Sequence, residues 1–291
     1  MTAVPGSVGP ERHERIHPRP ARSKIQRVPR LVAALLAILC LPSLASAQPG
    51  ALVVVGGGGT GPEIVAKALE LSGGKHAIVA VLPQSSALAD AGDDSVKMWL
   101  EAGAAEAAKV IFDDRSAAAS ALRRATLIWM PGGDQNRFMK AIEGTGLAEI
   151  IRERHRAGTV VGGTSAGAAV LAEAMFTGDA DLKSLTAGAT VIARGLGLWP
   201  EVLIDQHFLK RQRDNRLISA VMDRPTLVGV GIDEGTAVVV KGGSFEVFGK
   251  SSVVVIDARG AQMDKTAPGG LLSGRDLKVS VLRAGQTYSL K

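Results

Sequence analysis

Apolar residues arrive along this chain in short, unbroken runs rather than in strict alternation with polar ones. Residues 51–55 and 77–82 are such runs, and 108–112 and 126–130 hold one polar residue each, Lys109 and Thr126, with all four stopped by Gly, Pro or Asp. Uninterrupted apolar strands are those buried on both faces, which is the habit of parallel sheets. Between them lie segments with helical spacing: one carrying Ile64, Val65, Ala68 and Leu69, then 93–102, 116–124, 135–142 and 147–156. A further strand begins at Thr159–Val161, and 168–175 reads as helix. Strand and helix in turn predict an α/β domain with helices on both faces of the sheet.

Beyond about residue 200 the texture changes. Strands at 202–204 and 227–232 flank a helix at 214–222, and short strands at 236–240, 244–248 and 252–256 follow with Gly-rich turns. Residues 259–275 are polar and Gly-rich, and 277–282 reads as a last strand. This is the look of an antiparallel, β-rich C-terminal edge. No repeat and no linker divides the stretch, so 48–291 reads as one α/β domain.

Charge is unevenly spread, and that changes the picture. The 291 residues carry a formal net charge of +6, which at first suggests a nucleic-acid partner. Seven basic residues (Arg12, Arg15, Arg19, Arg22, Lys24, Arg27, Arg30) lie ahead of an apolar stretch at Leu31–Leu44, closed by Ala45-Ser46-Ala47. A basic region, a short apolar region and an A-x-A site read as a secretory signal peptide over 1–47, too short to span a membrane. Without it the chain is close to neutral, and the single Cys40 leaves with the leader. The expected mature protein is therefore exported, periplasmic or extracellular, free of the membrane, and not a nucleic-acid binder.

Gly163-Thr164-Ser165-Ala166-Gly167 carries the chemistry. It follows a strand and precedes a helix, the setting in which a strained turn lifts a serine hydroxyl above a sheet edge. Backbone N–H groups at the helix start can meet a developing oxyanion. Among the histidines of the mature chain, His207 ends a strand, where open α/β sheets place their chemistry. His155 sits in the charged run 152–156 and reads as a solvated face. Arg211, Arg213 and Arg216 follow His207 by four, six and nine residues, where guanidiniums can clamp carboxylates, though on their own they read as a solvated helix start. Pro131-Gly132-Gly133-Asp134-Gln135 closes another strand and offers the Gly133 N–H and the Gln135 amide. Asp233-Glu234 ends yet another, with the choice between facing a cationic substrate and capping a turn left open. The run Gly56–Gly61 lacks the acidic residue a dinucleotide fingerprint needs about 20 positions on, so it reads as a tight turn. No metal-ligand spacing is present, and no cofactor is expected.

Taken together, GGTSAGAAV (162–170), PGGDQ (131–135), IDQHFLKRQRDNRL (204–217) and GIDEGTA (231–237) resemble the cyanophycinases, within the serine-peptidase family that also holds the aspartyl dipeptidases. The resemblance runs from about residue 52 to 257. It implies a flavodoxin-like, mostly parallel sheet related to the class I glutamine amidotransferases, usually as a homodimer. It also implies hydrolysis of cyanophycin, a poly-aspartate backbone bearing arginine on each β-carboxyl, to β-Asp-Arg dipeptides. On that resemblance Ser165 is the nucleophile and His207 its base, with Gly133 and Ala166 at the oxyanion. Gln135, Asp205, Gln206, Arg211, Arg213 and Arg216 match substrate-pocket positions. The orienting acid is expected at Asp181, ahead of Asp179 and Glu173. Related peptidases of other aspartyl or isoaspartyl peptides, and an inactive binding protein of the same fold, are the competing readings.

Overall fold

Side chains of the first strand leave the backbone alternately toward two different cores. β1 (Leu52–Val55) sends Leu52 and Val54 into one hydrophobic cluster and Val53 and Val55 into another. The same division separates Ile128 and Met130 from Leu127 and Trp129, which is why no polar residue interrupts these strands. Every β1 side chain is 2% exposed or less, and each contributes on the order of 1.5–3 kcal/mol through burial.

The computed structural model describes residue 9, residues 48–178 and residues 185–291. After β1 come α1 (Pro62–Leu71), β2 (Ile78–Val81), α2 (Asp93–Glu101), β3 (Glu106–Lys109), α3 (Arg115–Arg124) and β4 (Leu127–Met130). Helices α4 (Gln135–Ile142) and α5 (Leu147–Arg156) lead to β5 (Val160–Thr164) and the one-turn α6 (Ala166–Ala169). The hairpin β6 (Ala174–Phe176) and β7 (Ile192–Arg194) precedes β8 (Val202–Gln206), α7 (Asp214–Asp223) and β9 (Val228–Ile232). The rest is β10 (Thr236–Lys241), β11 (Ser244–Gly249), β12 (Ser252–Asp257), the two-residue pair β13 (Gln262–Met263) and β14 (Gly274–Arg275), β15 (Lys278–Arg283) and β16 (Thr287–Ser289).

Five strands pair in parallel in the order β3-β2-β4-β5-β1. Counted from β2, this is the flavodoxin order, with the N-terminal strand taking the fifth place. Antiparallel β10, β11 and β16 extend this sheet beyond β1 to eight strands. The C-terminal strands do more than form an edge. β8, β9, β12 and β15 make a separate four-stranded sheet. Its Val228, Val230 and Ile232 face the main core, and its far face packs against α7. Gly229 and Gly231 permit that packing. A Cβ at Gly229 would lie 2.7 Å from Val221, and one at Gly231 2.5 Å from the Phe208 ring. The chain passes from the small sheet to the large one between β9 and β10, and back between β11 and β12.

Three local expectations change. β3 lies at 106–109 rather than 108–112, because this edge strand pairs only with β2, and Val110 and Phe112 fill the core from the loop beyond it. The helix expected over 168–175 lasts one turn, after which Ala174–Phe176 is drawn into pairing with β7. His155 is buried rather than solvated, and desolvation lowers its pKa below the ordinary value.

Candidate active site

Ser165, His207 and Glu234 each sit just past a strand's carboxyl end, and the loop after β1 gathers them. Three successive carbonyls of that loop accept one N–H each. Val55 O accepts from Ser165 (3.0 Å), Gly56 O from His207 (2.7 Å), and Gly57 O from Gly235 (2.8 Å). The glycine run therefore serves as a seat on which three distant loops converge, as its reading as a tight turn anticipates.

Ser165 stands between β5 and α6 at φ 54°, ψ −116°, a conformation that costs a non-glycine residue about 1–3 kcal/mol. The turn closes only because its neighbours lack side chains. A Cβ at Gly167 would lie 1.9 Å from Met130 O, and one at Gly163 2.3 Å from Gly167 O. His207, just past β8, also holds a positive φ of 51°. These two strained residues meet, with Ser165 Oγ 2.8 Å from His207 Nε2.

On the other side of the ring, His207 Nδ1 is 2.6 Å from Glu234 Oε1. A carboxylate only accepts, so the proton on Nδ1 donates to Glu234, and Nε2 is left to accept the Ser165 hydroxyl proton. Burial holds the His207 imidazole below its ordinary pKa. The Glu234 hydrogen bond opposes this, and the nearby Arg211 charge reinforces it. At neutral pH the ring is therefore the neutral base that a serine nucleophile requires.

Glu234 lies in the passage from β9 to β10. Its neighbour Asp233 fixes that passage by accepting from Lys210 N (2.9 Å) and Ser251 Oγ (2.7 Å). Burial pushes the Asp233 carboxyl up, but these bonds outweigh it and leave the pKa lowered. Of the two acids left open by the sequence, Asp233 caps the turn and Glu234 meets the histidine. Asp181 lies outside the described residues, and the carboxylate observed on Nδ1 is that of Glu234. The legible signal was an acidic residue just past a strand adjacent to the histidine's own.

The loop of Pro131, Gly132 and Gly133 is held from below. Ser85, 3% exposed, has its Oγ 2.7 Å from Gly132 O and 3.0 Å from Pro131 O, and its own carbonyl accepts from Asp134 N at 2.8 Å. Gly133 has φ 138°, and a Cβ there would lie 2.3 Å from Ser85 O. A Cβ on Gly132 would come 3.4 Å from Ser165 Cβ, which puts this loop directly beside the serine. Ala166 opens α6 at 1% exposure, its N–H at the first position of the helix.

The remaining predicted residues divide into two groups. Asp205, Arg213 and Arg216 are buried together behind the site. Arg216 binds both carboxylate oxygens of Asp205 (Nε to Oδ2, 3.0 Å), and its guanidinium lies 4.8 Å from the Phe176 ring centroid. Arg213 donates to Gln206 O (2.6 Å) and Gln206 Oε1 (3.2 Å). Arg213 and Arg216 thus brace the β8 terminus rather than reach out toward solvent. Gln135, also buried, donates to Phe176 O at 3.1 Å, while Arg211 is exposed beside His207. No cluster of three or more metal-ligating side chains is found among the described residues. Nor is any helix among them long and apolar enough to cross a membrane.

Comparison with known proteins places the chain in a family. Residues 52–248 match the model of peptidase family S51. A cyanophycinase of Geminocystis herdmanii is 36% identical over 242 residues, covering 79% of this chain and 89% of that one. A cyanophycinase of Trichormus variabilis is 37% identical over 218 residues, covering 71% and 73% respectively. Among solved structures, a peptidase from an acI-B1 actinobacterium superposes with a TM-score of 0.62 at 22% identity, covering 84% of this chain and 98% of that one.

Proposed function

The chain belongs to peptidase family S51, a serine-type peptidase family, and from that premise we propose that it is an exported exopeptidase that hydrolyses cyanophycin to β-Asp-Arg dipeptides. The single observation that carries the mechanism is the continuous hydrogen-bonded line from Ser165 through His207 to Glu234. The substrate assignment draws on the relatives named as cyanophycinases, which match over most of the chain.

In this mechanism His207 Nε2 takes the Ser165 proton as Oγ attacks a backbone amide carbonyl of the polymer. The resulting imidazolium is stabilised by Glu234 through Nδ1–H, and it then protonates the leaving amine. The Gly133 and Ala166 N–H groups receive the developing oxyanion, and water activated by His207 cleaves the acyl-enzyme. Glu234 takes the orienting role that the sequence assigned to Asp181. Arg211, the exposed cation beside His207, meets a substrate carboxylate, while Asp205, Gln206, Arg213 and Arg216 shape the pocket wall behind it. No metal or organic cofactor enters any step.

Export follows from the leader over 1–47, and the active form is a homodimer, as the family resemblance implies. Replacing Ser165 by Ala abolishes release of β-Asp-Arg from purified cyanophycin on this reading. Retained release would overturn it, and cleavage of isoaspartyl dipeptides but not the polymer would reassign the substrate.

A further inference from the structure

A cavity of about 720 Å³ lies away from Ser165, which is not among its lining residues. It opens at the carboxyl ends of β2 and β3, on the far side of the loop that Ser85 holds. Pro83, Gln84 and Ser86 line it, and the intervening Ser85 carries Gly132, which lies against Ser165. β2 and β4 border the point where strand order reverses, the place where open α/β sheets take ligands. Its volume falls within the roughly 300–1,000 Å³ typical of ligand sites.

The lining carries both signs of charge. Arg115 and Arg137 stand with Asp113 and Glu143, and none of the four has a salt bridge among the described residues. Lys109 is different, being engaged with Asp93 at 2.5 Å. Exposed Leu88 and Ile111 supply apolar surface beside these charges, suited to the methylene stem of an arginine side chain.

We propose that this cavity is a second binding site for the zwitterionic polymer, holding repeats that are not being cut while Ser165 works on the chain end. Each repeat presents a carboxylate for Arg115 and Arg137, which bind such groups bidentately. Each also presents a guanidinium for Asp113 and Glu143. The proposal rests on cyanophycin being the substrate, and it makes the enzyme selective for long chains over short ones.

The test compares the wild type with the Arg115→Ala/Arg137→Ala double variant on purified cyanophycin and on the two-repeat oligomer. The expected result is about a tenfold lower kcat/KM on the polymer, with turnover of the oligomer unchanged. Cosedimentation with insoluble cyanophycin, measured in the Ser165→Ala background, should weaken on the same two substitutions. Equal losses on both substrates, or unchanged polymer hydrolysis and cosedimentation, would overturn the second site while leaving the catalytic reading intact. A wild type inactive on both substrates would overturn the substrate assignment, and this proposal with it.

Discussion

Gly57 lies flat against the His207 imidazole: a Cβ at Gly57 would stand 2.3 Å from Cε1 and 2.4 Å from Nε2. The ring therefore occupies the space a side chain would take. Gly57→Ala pushes the ring off Ser165 and also forces alanine to φ 97°. The expected result is a loss in kcat on the order of 10²-fold, the usual cost of a misplaced catalytic group. Circular dichroism should remain native, and steady-state kinetics on cyanophycin check the outcome.

Removing the Glu234 charge tests the relay more selectively. Glu234→Gln keeps the shape but no longer favours the proton on Nδ1, and a comparable change in a Ser-His-Asp protease costs about 10⁴ in kcat. A loss between about 10² and 10⁴ is expected here. Wild-type kinetics are the control.

The pH profile follows from the same ring. In the proposed mechanism His207 works as the neutral base, and burial holds its pKa below the ordinary 6.5. Activity therefore persists below pH 6.5 and falls only as acid protonates the ring through that lowered value. Because Glu234 pulls the pKa upward, Glu234→Gln should move the acid limb of kcat/KM to still lower pH. A limb moving upward would contradict the assigned hydrogen bond.

Ser85 positions the oxyanion loop without facing the serine. Ser85→Ala frees the Pro131 and Gly132 carbonyls and lets the loop relax. Between about tenfold and 10²-fold should be lost from kcat with KM unchanged. A peptide aldehyde that mimics the tetrahedral intermediate should bind more weakly by a similar factor, which a merely structural role would not produce.

Arg216 and Asp205 are 2% and 0% exposed, so breaking their pair leaves a buried charge without its main partner. Arg216→Ala is expected to cost about 3–5 kcal/mol in stability, far beyond an exposed pair. Urea unfolding measures it. Asp205→Asn/Arg216→Gln should recover part of the loss.

The turn that carries Ser165 was legible in the sequence because it admits few residues. Gly163 and Gly167 press so closely on backbone that the pattern betrays the geometry. The same holds for β1, β2 and β4 of the parallel core, which are apolar throughout because both faces are covered. Glu234 was harder to assign, since its role exists only where the chain passes from one sheet to the other. Spacing along the chain does not record that juxtaposition. The contacts of Arg213 and Arg216 were hidden for a related reason. Basic residues after a catalytic strand look like substrate contacts until their burial against Asp205 and Gln206 is seen. His155 looked solvated because its neighbours are charged, though α5 turns its apolar face, and this ring, inward.

The division of the site between two sheets gives the protein a built-in order of maturation. His207 follows Ser165 by 42 residues, and Glu234 follows His207 by another 27. A chain emerging from the ribosome holds the serine and all five parallel strands before either partner exists. Such an intermediate has the elbow but neither the histidine nor the carboxylate that face it. The full line from Ser165 through His207 to Glu234 thus forms only once β8 and β9 have docked onto the main core.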